Sequence, residues 1–518
     1  MKTETRRICV IMAALVLTSC ADHEEVASVD VKPPLVLANS LAYLQASASR
    51  VVVVDAHQNK PQIRSVQLVG TELDAKTTAD GTRLFVLDST GKTLHAIDDG
   101  GENSTAYPLG APFSDLATSD DGAVAVTMFR EGNTSGAVFQ NANEIAIVDL
   151  KTPPGDTNPT HATIRSFGDA PDGVRISPAV TLGSTQRRVA LVQSASHIAI
   201  VDLSQPLAKD VSVPLATVKN TTQIVPDQIE FAVESAGENG ASQALWAFVR
   251  SRNAPDLYAM RIVDNPDASG TGATIAVTLN LYYSGDIPSD MHLLDAEGLP
   301  RVFLVNQGPQ TVSFVNAITA EVFSLPLATP VSRAVRTDAG AEQDLMVVYE
   351  PSGASTVHVI DLTAVDSIGK KAVSSYKVTS GISQLIILKE KTKAVIRNGN
   401  ALSLLDLLTG DAVPFTGTGN IVGLGVSPDN KELFAATEIN GEGYLVRVDL
   451  TTLASVPIRL LHWPLAMSVM PGNGRVAVDL SQSGGLLTLW GTDPPTENNA
   501  MLMGGFLWTG LLDGEVSQ

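Results

Sequence analysis

The chain is poor in the residues that staple, stack or anchor a protein. Its 518 residues include two cysteines, Cys9 and Cys20, and aromatic side chains make up only 5% of it. Two cysteines so close to the N-terminus exclude a disulfide framework for the body, so a chain of this length must hold together by buried apolar surface. Charged residues are sparse at 17%, and they are unbalanced, with 55 acidic against 35 basic for a net charge of −20. A body this acidic is repelled by nucleic acid and by anionic lipid surfaces, which excludes nucleic-acid binding as a function class. Apolar runs are short. The longest lie at 8–17 and 500–512; the first is too brief to span a bilayer, and the second is too brief and too rich in glycine.

What the chain has in abundance is one short phrase. An apolar strand ending in Asp or Asn recurs as VVVVD at 51–55, LHAID at 94–98, and IAIVD at 145–149 and again at 198–202. It continues as AMRIVD at 259–264, VSFVN at 312–316, VHVID at 357–361, LSLLD at 402–406 and LVRVD at 445–449, with a degenerate LTLWG at 487–491. The steps run 43, 51, 53, 62, 52, 45, 45, 43 and 42 residues, a mean of about 48. Strand-rich repeats of that period are propeller blades.

Residues 421–460 show a whole repeat: IVGLGV, the turn SPDNK, ELFAAT, the loop NGEG, a third strand to Asp449, and ASVPIRL. Proline, aspartate and asparagine between alternating apolar runs are hairpin chemistry. TADGT at 78–82, SDDGA at 119–123 and GNG at 472–474 fill the same turn elsewhere. The fold expected over 36–518 is all-β, a β-propeller of four-stranded blades with about ten quasi-repeats. Ten third strands but only nine first-and-second-strand pairs leave the count open between one large ring and two smaller propellers. The first repeat either borrows residues 35–45 or is completed by the C-terminus. Long insertions at 131–143, 152–163, 234–242 and 265–272 are rim loops of the kind that carry binding.

Two resemblances follow from these residues. The N-terminus has Lys2, Arg6 and Arg7, then the apolar run, then LTSC ending at Cys20. This resembles the signal and lipobox of bacterial lipoproteins, which implies a signal peptide over 1–19, lipidation at Cys20 and a tether over 20–35. Losing 1–19 removes Lys2, Arg6, Arg7 and Glu4 and leaves a net −22. Ala21 in place of an aspartate after the lipidated cysteine favours the outer membrane in the best-known sorting system. The repeat itself, Ser-x-Asp-Gly, a strand, then a strand ending in Ile/Val-Asp, resembles the YVTN/WD40-like propellers of bacterial envelopes over nearly all of 40–512. The Trp-Asp dipeptide is absent, and tryptophans 246, 463, 490 and 508 do not recur in phase, which sets the chain apart from the WD40 proteins of eukaryotes and from quinoprotein propellers.

Catalytic signatures are missing: no His-Glu-x-x-His, no phosphate loop, no Gly-x-Ser-x-Gly elbow. The glycines of 417–423 lead into a strand and do not have dinucleotide spacing. His95 and His358 share one slot within their strands and read as strand histidines. One constellation remains. Aligned on the turn after the first strand, successive repeats place Asp74, Asp115, Asp172, Asp227, Asp290, Arg333, Gln384, Gly423 and Ala466 at the start of the strand that lines the channel. Five aspartates in a row make one arc of the mouth acidic, and such carboxylates suit Ca²⁺ or a cationic ligand. They suit strand-start capping inherited with the repeat better still. The strand-terminal aspartates are expected to be structural.

The resulting expectation is a lipid-anchored envelope scaffold that binds a protein or ligand without catalysis. The alternative is a lactonase-like hydrolase with a divalent cation at the mouth, as some similar propellers are, with His292 or Arg333 converging on the carboxylates.

Overall fold

The computed structural model describes residues 33–507 except 131–140, 156–157, 166–169, 196, 216–223, 236–242, 271, 295–299, 338–342, 354, 364–372, 380, 389–391, 416–418, 483–484 and 492–493. Cys20, the signal segment and most of the tether lie outside the described residues, as do much of the insertions at 131–143 and 234–242.

Ten four-stranded antiparallel sheets follow one another in meander order, all but the fourth built from consecutive strands. Blades 1 to 10 span 35–67, 73–108, 115–164, 171–214, 226–283, 288–326, 333–377, 384–415, 420–459 and 464–504. Blade 4 carries one extra hairpin, Val180–Leu182 with Thr185–Arg187. The second and third strands of a blade are nearly all apolar and buried on both faces, as in Arg50–Asp55 and Arg83–Asp88. Fourth strands such as Glu321–Pro326 lie mostly exposed.

The core consists of ten apolar clusters, one per junction between neighbouring blades. Leu84 and Val86 of blade 2 pack on Val51 and Val53 of blade 1. Phe85 and Leu87, on the other face of the same strand, pack on Leu116 and Ala125 of blade 3. The series runs without a gap to a cluster joining Ala477, Leu487 and Phe506 of the last blade to Leu41, Tyr43 and Val52 of the first. The architecture is therefore a single ten-bladed propeller. At roughly 1.5–3 kcal/mol for each fully buried Val, Leu or Phe, these junctions hold the ring without disulfides.

The first blade is complete in itself. Its inner strand is only Leu35–Val36, paired with Ala42 and Leu41. The C-terminal strand Ala500–Gly504 is the fourth strand of blade 10. Among the described residues no strand is exchanged, and the seam is closed by packing and by hydrogen bonds from side chains and backbone. Gln45 donates to the Leu507 carbonyl at 2.7 Å, Gly472 donates to the Ala38 carbonyl at 2.7 Å, and the Tyr43 hydroxyl donates to Asp479.

Repeat chemistry explains the local structure. Asp449 accepts the backbone N–H of Thr451 and of Thr452, both at 2.8 Å, and Asn316 takes those of Ile318 and Thr319. The strand-terminal series thus closes the turn into the fourth strand. In the preceding turn, Ser427 Oγ donates to Asp429 at 2.7 Å and accepts the N–H of Glu432 at 3.0 Å. Ser119 and Asp121 repeat the arrangement.

The seam carries a pH dependence. Burial pushes the Asp479 carboxyl up to about 6, and the hydrogen bond from Tyr43 offsets only part of that. Between an unfolded value of about 4 and about 6, the native protein holds a proton that the unfolded chain has released. The stability this gives is complete at or below the unfolded pKa and is lost as pH rises through the folded one. It amounts to up to about 3 kcal/mol. Asp479→Asn, neutral at every pH, should gain in melting temperature relative to the wild type between pH 5 and pH 8. A difference that stays constant over that interval would show that Asp479 is not held protonated.

Candidate functional site

The inner strands line the channel, and their register on the second strand can be read from the third. The terminal Asp or Asn faces the first residue of the second strand, as in Arg83 with Asp98, Val124 with Asp149 and Arg301 with Asn316. On that count Asp74, Asp115, Asp290 and Arg333 occupy one rung, opposite Leu87, Met128, Val305 and Tyr349. Gln384, Gly423 and Ala466 share it.

Asp172 and Asp227 do not. Each sits on a one-residue bulge behind a proline, and the same count gives the rung to Gly173, opposite Gln193, and to Phe231, opposite Ala247. The aligned series therefore runs one position off in blade 4, where an extra hairpin follows the first strand, and four off in blade 5, whose first strand continues to Glu234. Gly423 has a steric reason for its identity, since a Cβ there would come within 2.7 Å of the Met467 Cβ on the next inner strand.

Three of the five aspartates do come together. Asp115, Asp172 and Asp227 line one hollow of about 550 Å³, along with Lys76, Arg130 and Arg175. Asp115 is buried; it accepts the Leu116 N–H at 2.8 Å and pairs with Arg130 at 2.9 Å. Asp227 is clamped by Arg250 and Arg252. Burial alone would raise the Asp227 carboxyl, but the two guanidiniums outweigh it and hold it below the usual range. The mouth is therefore a mixed-charge wall, with arginines from the end of the second strand and the loop after it set against the carboxylates. Those arginines were legible in the chain as Arg130, Arg250 and Arg252, but only the register assigns them to the aspartates.

Asp290 lies apart. It is 8% exposed and accepts the N–H of Met291 and of Ala334 in blade 7, both at 2.9 Å, with His292 Nε2 at 3.3 Å. Burial works to raise its pKa, and these donors more than reverse the effect. Arg333 is exposed at the start of the next inner strand, and Asp74 is half-buried in blade 2. Calcium requires six to eight oxygen ligands. Among the described residues no group of three or more His, Cys, Asp or Glu is placed to hold a metal, and at the mouth guanidiniums already take carboxylate oxygens. As placed, these side chains do not form a cation cage.

A second concavity was not foreseen. It lies between the outer strands of blades 9 and 10, measures about 880 Å³, and is lined by both Trp463 and Trp490. Two of the four tryptophans that failed to recur in phase thus converge on one cleft.

No family model matches the chain, and no curated protein matches it. Solved structures similar to it include a eukaryotic initiation factor at 11% identity, covering 90% of this chain and 96% of that one with a TM-score of 0.47. Dihydro-heme d1 dehydrogenase NirN is similar at 12% identity, covering 83% and 75% with a TM-score of 0.40. AztD from Citrobacter koseri is similar at 12% identity, covering 70% and 91% with a TM-score of 0.36. Likeness at that level leaves function to be read from this chain's own side chains.

Proposed function

We propose that this protein is a lipid-anchored propeller of a bacterial envelope, held to the outer membrane through Cys20, whose channel mouth binds a protein or ligand without catalysing a reaction. The observation that carries this reading is the pairing of Asp115 with Arg130 and of Asp227 with Arg250 and Arg252. Carboxylates committed to cations of the same wall make a fixed polar relief, suited to recognition. They are poorly suited to general-base or metal-ligand work, which needs the carboxylate available. The hydrolase alternative, with a divalent cation at the mouth, would require those pairs to open. It would also need His292 or Arg333 to reach the three carboxylates of the hollow, whereas His292 bonds to Asp290, which lies apart from them, and neither it nor Arg333 lines the hollow.

Fractionation followed by pull-down tests the reading. The chain is expected in the membrane fraction only while Cys20 is present. It is expected to retain a discrete envelope partner at low salt that the Asp115→Asn/Asp227→Asn variant loses. Calcium titration of the full chain should leave the melting temperature unmoved. A saturating stabilisation, abolished by Asp→Asn changes at 115, 172 and 227, would replace the scaffold with a cation site.

A further inference from the structure

The cleft between blades 9 and 10 belongs to no part of the mouth. Its walls are the fourth strand of blade 9, Ser455–Arg459, the connector that follows it, and the outer strands of blade 10, Leu486–Trp490 and Ala500–Gly504. At about 880 Å³ it exceeds the hollow at the mouth and falls within the usual size of a small-molecule site.

The cleft is built around a fixed aromatic surface. Trp463 is 57% exposed, yet its indole Nε1 donates to the Gly441 carbonyl at 2.7 Å, and its own carbonyl accepts the Ser481 N–H at 2.9 Å. The connector is pressed tightly on blade 9, since a Cβ on Gly443 would meet the His462 carbonyl at 2.4 Å. Behind it, Trp490 is fully buried and donates to the Thr496 carbonyl at 3.0 Å. Blade 10 is the repeat whose third strand lacks the terminal Asp or Asn, and Glu497, between its third and fourth strands, lines the cleft.

The polar groups are equally fixed. Glu442 pairs with Arg459 at 2.5 Å and accepts the Tyr444 hydroxyl at 2.6 Å. Leu461 and Leu502 are more than half exposed beside them. An aromatic face bordered by an ion pair suits a ring with an apolar C–H face and a rim of hydroxyls. A wholly apolar ligand would desolvate the ion pair without replacing its contacts with water. A polyanionic ligand would meet a body of net charge −20.

We propose that this cleft is a saccharide site for a neutral glycan, whose sugar ring stacks on Trp463 and whose hydroxyls bond to Glu442 and Arg459. The site is independent of the mouth and of the lipid anchor. The test is calorimetric titration of the full chain in detergent with neutral tetrasaccharides of glucose, mannose, galactose and N-acetylglucosamine. At least one should bind saturably. Trp463→Ala should weaken it by about tenfold or more, and Glu442→Gln by several-fold. Trp463→Phe should retain most of the affinity, and all three variants should melt as the wild type does. The site is refuted if no sugar binds below about 10 mM, or if binding survives both Trp463→Ala and Glu442→Gln. It is also refuted if the chain sediments as a dimer that Trp463→Ala dissociates, since the cleft would then be a contact between copies.

Discussion

Replacing Phe506 by alanine is expected to destabilise the ring by about 3–5 kcal/mol and to open it at one place. Phe506 is 1% exposed, its ring centroid lies 5.1 Å from that of Tyr43, and it belongs to the cluster joining the last blade to the first. Every other junction is also tied by the covalent connection between its blades. Here, among the described residues, blades 1 and 10 share no strand, so only hydrogen bonds such as those of Gln45, Tyr43 and Gly472 remain beneath lost packing. Hydrogen exchange should show blades 1 and 10 losing protection first. Phe303→Ala, an equally buried truncation between blades 6 and 7, should cost a similar amount without exposing the seam. If the two variants gave the same exchange pattern, the seam would be no weaker than the other junctions.

The second large effect is electrostatic. Arg187→Met should cost about 3–5 kcal/mol, because it leaves a carboxylate in the interior without its cation. Arg187 donates to Asp202 at 3.2 Å, to Asp264 at 2.6 Å and to the Thr274 carbonyl at 2.8 Å, linking blade 4 to blade 5. The Asp202 side chain is 1% exposed and would keep only the Ser204 N–H and the Thr274 hydroxyl. Adding Asp202→Asn removes the stranded charge, so the double variant should unfold at higher urea than Arg187→Met alone. Simple additivity of the two single losses would mean that the pair is not coupled.

The strands, their turns and the reason for each strand-terminal Asp were legible because each is decided within a few residues by alternation and side-chain capping. The blade count was less legible because the innermost strand of the first blade is only Leu35–Val36, too short to alternate. The register of the mouth failed in blades 4 and 5 because the turn from which it is counted is displaced there. An extra hairpin follows the first strand of blade 4, and the first strand of blade 5 runs on to Glu234 through the position where the other repeats turn. Charge compensation was hidden further still, since Asp227 and Arg250 are apart in the chain and become partners only through the ladder. Trp463 and Trp490 registered only as an absence of periodicity, and nothing in their spacing announced the cleft that they line.

The circumference of the ring is made of fourth strands, and among the described residues no further strand pairs with their outer edges. Half of them contain a proline: Pro108, Pro214, Pro326, Pro414 and Pro457. Proline has no N–H to offer a docking strand, so each of these edges lacks a donor and pairs less readily with a neighbour's. On half of its circumference the ring thus carries a built-in obstacle to edge-to-edge strand pairing, so that neighbouring copies have fewer places at which to fuse into a continuous sheet.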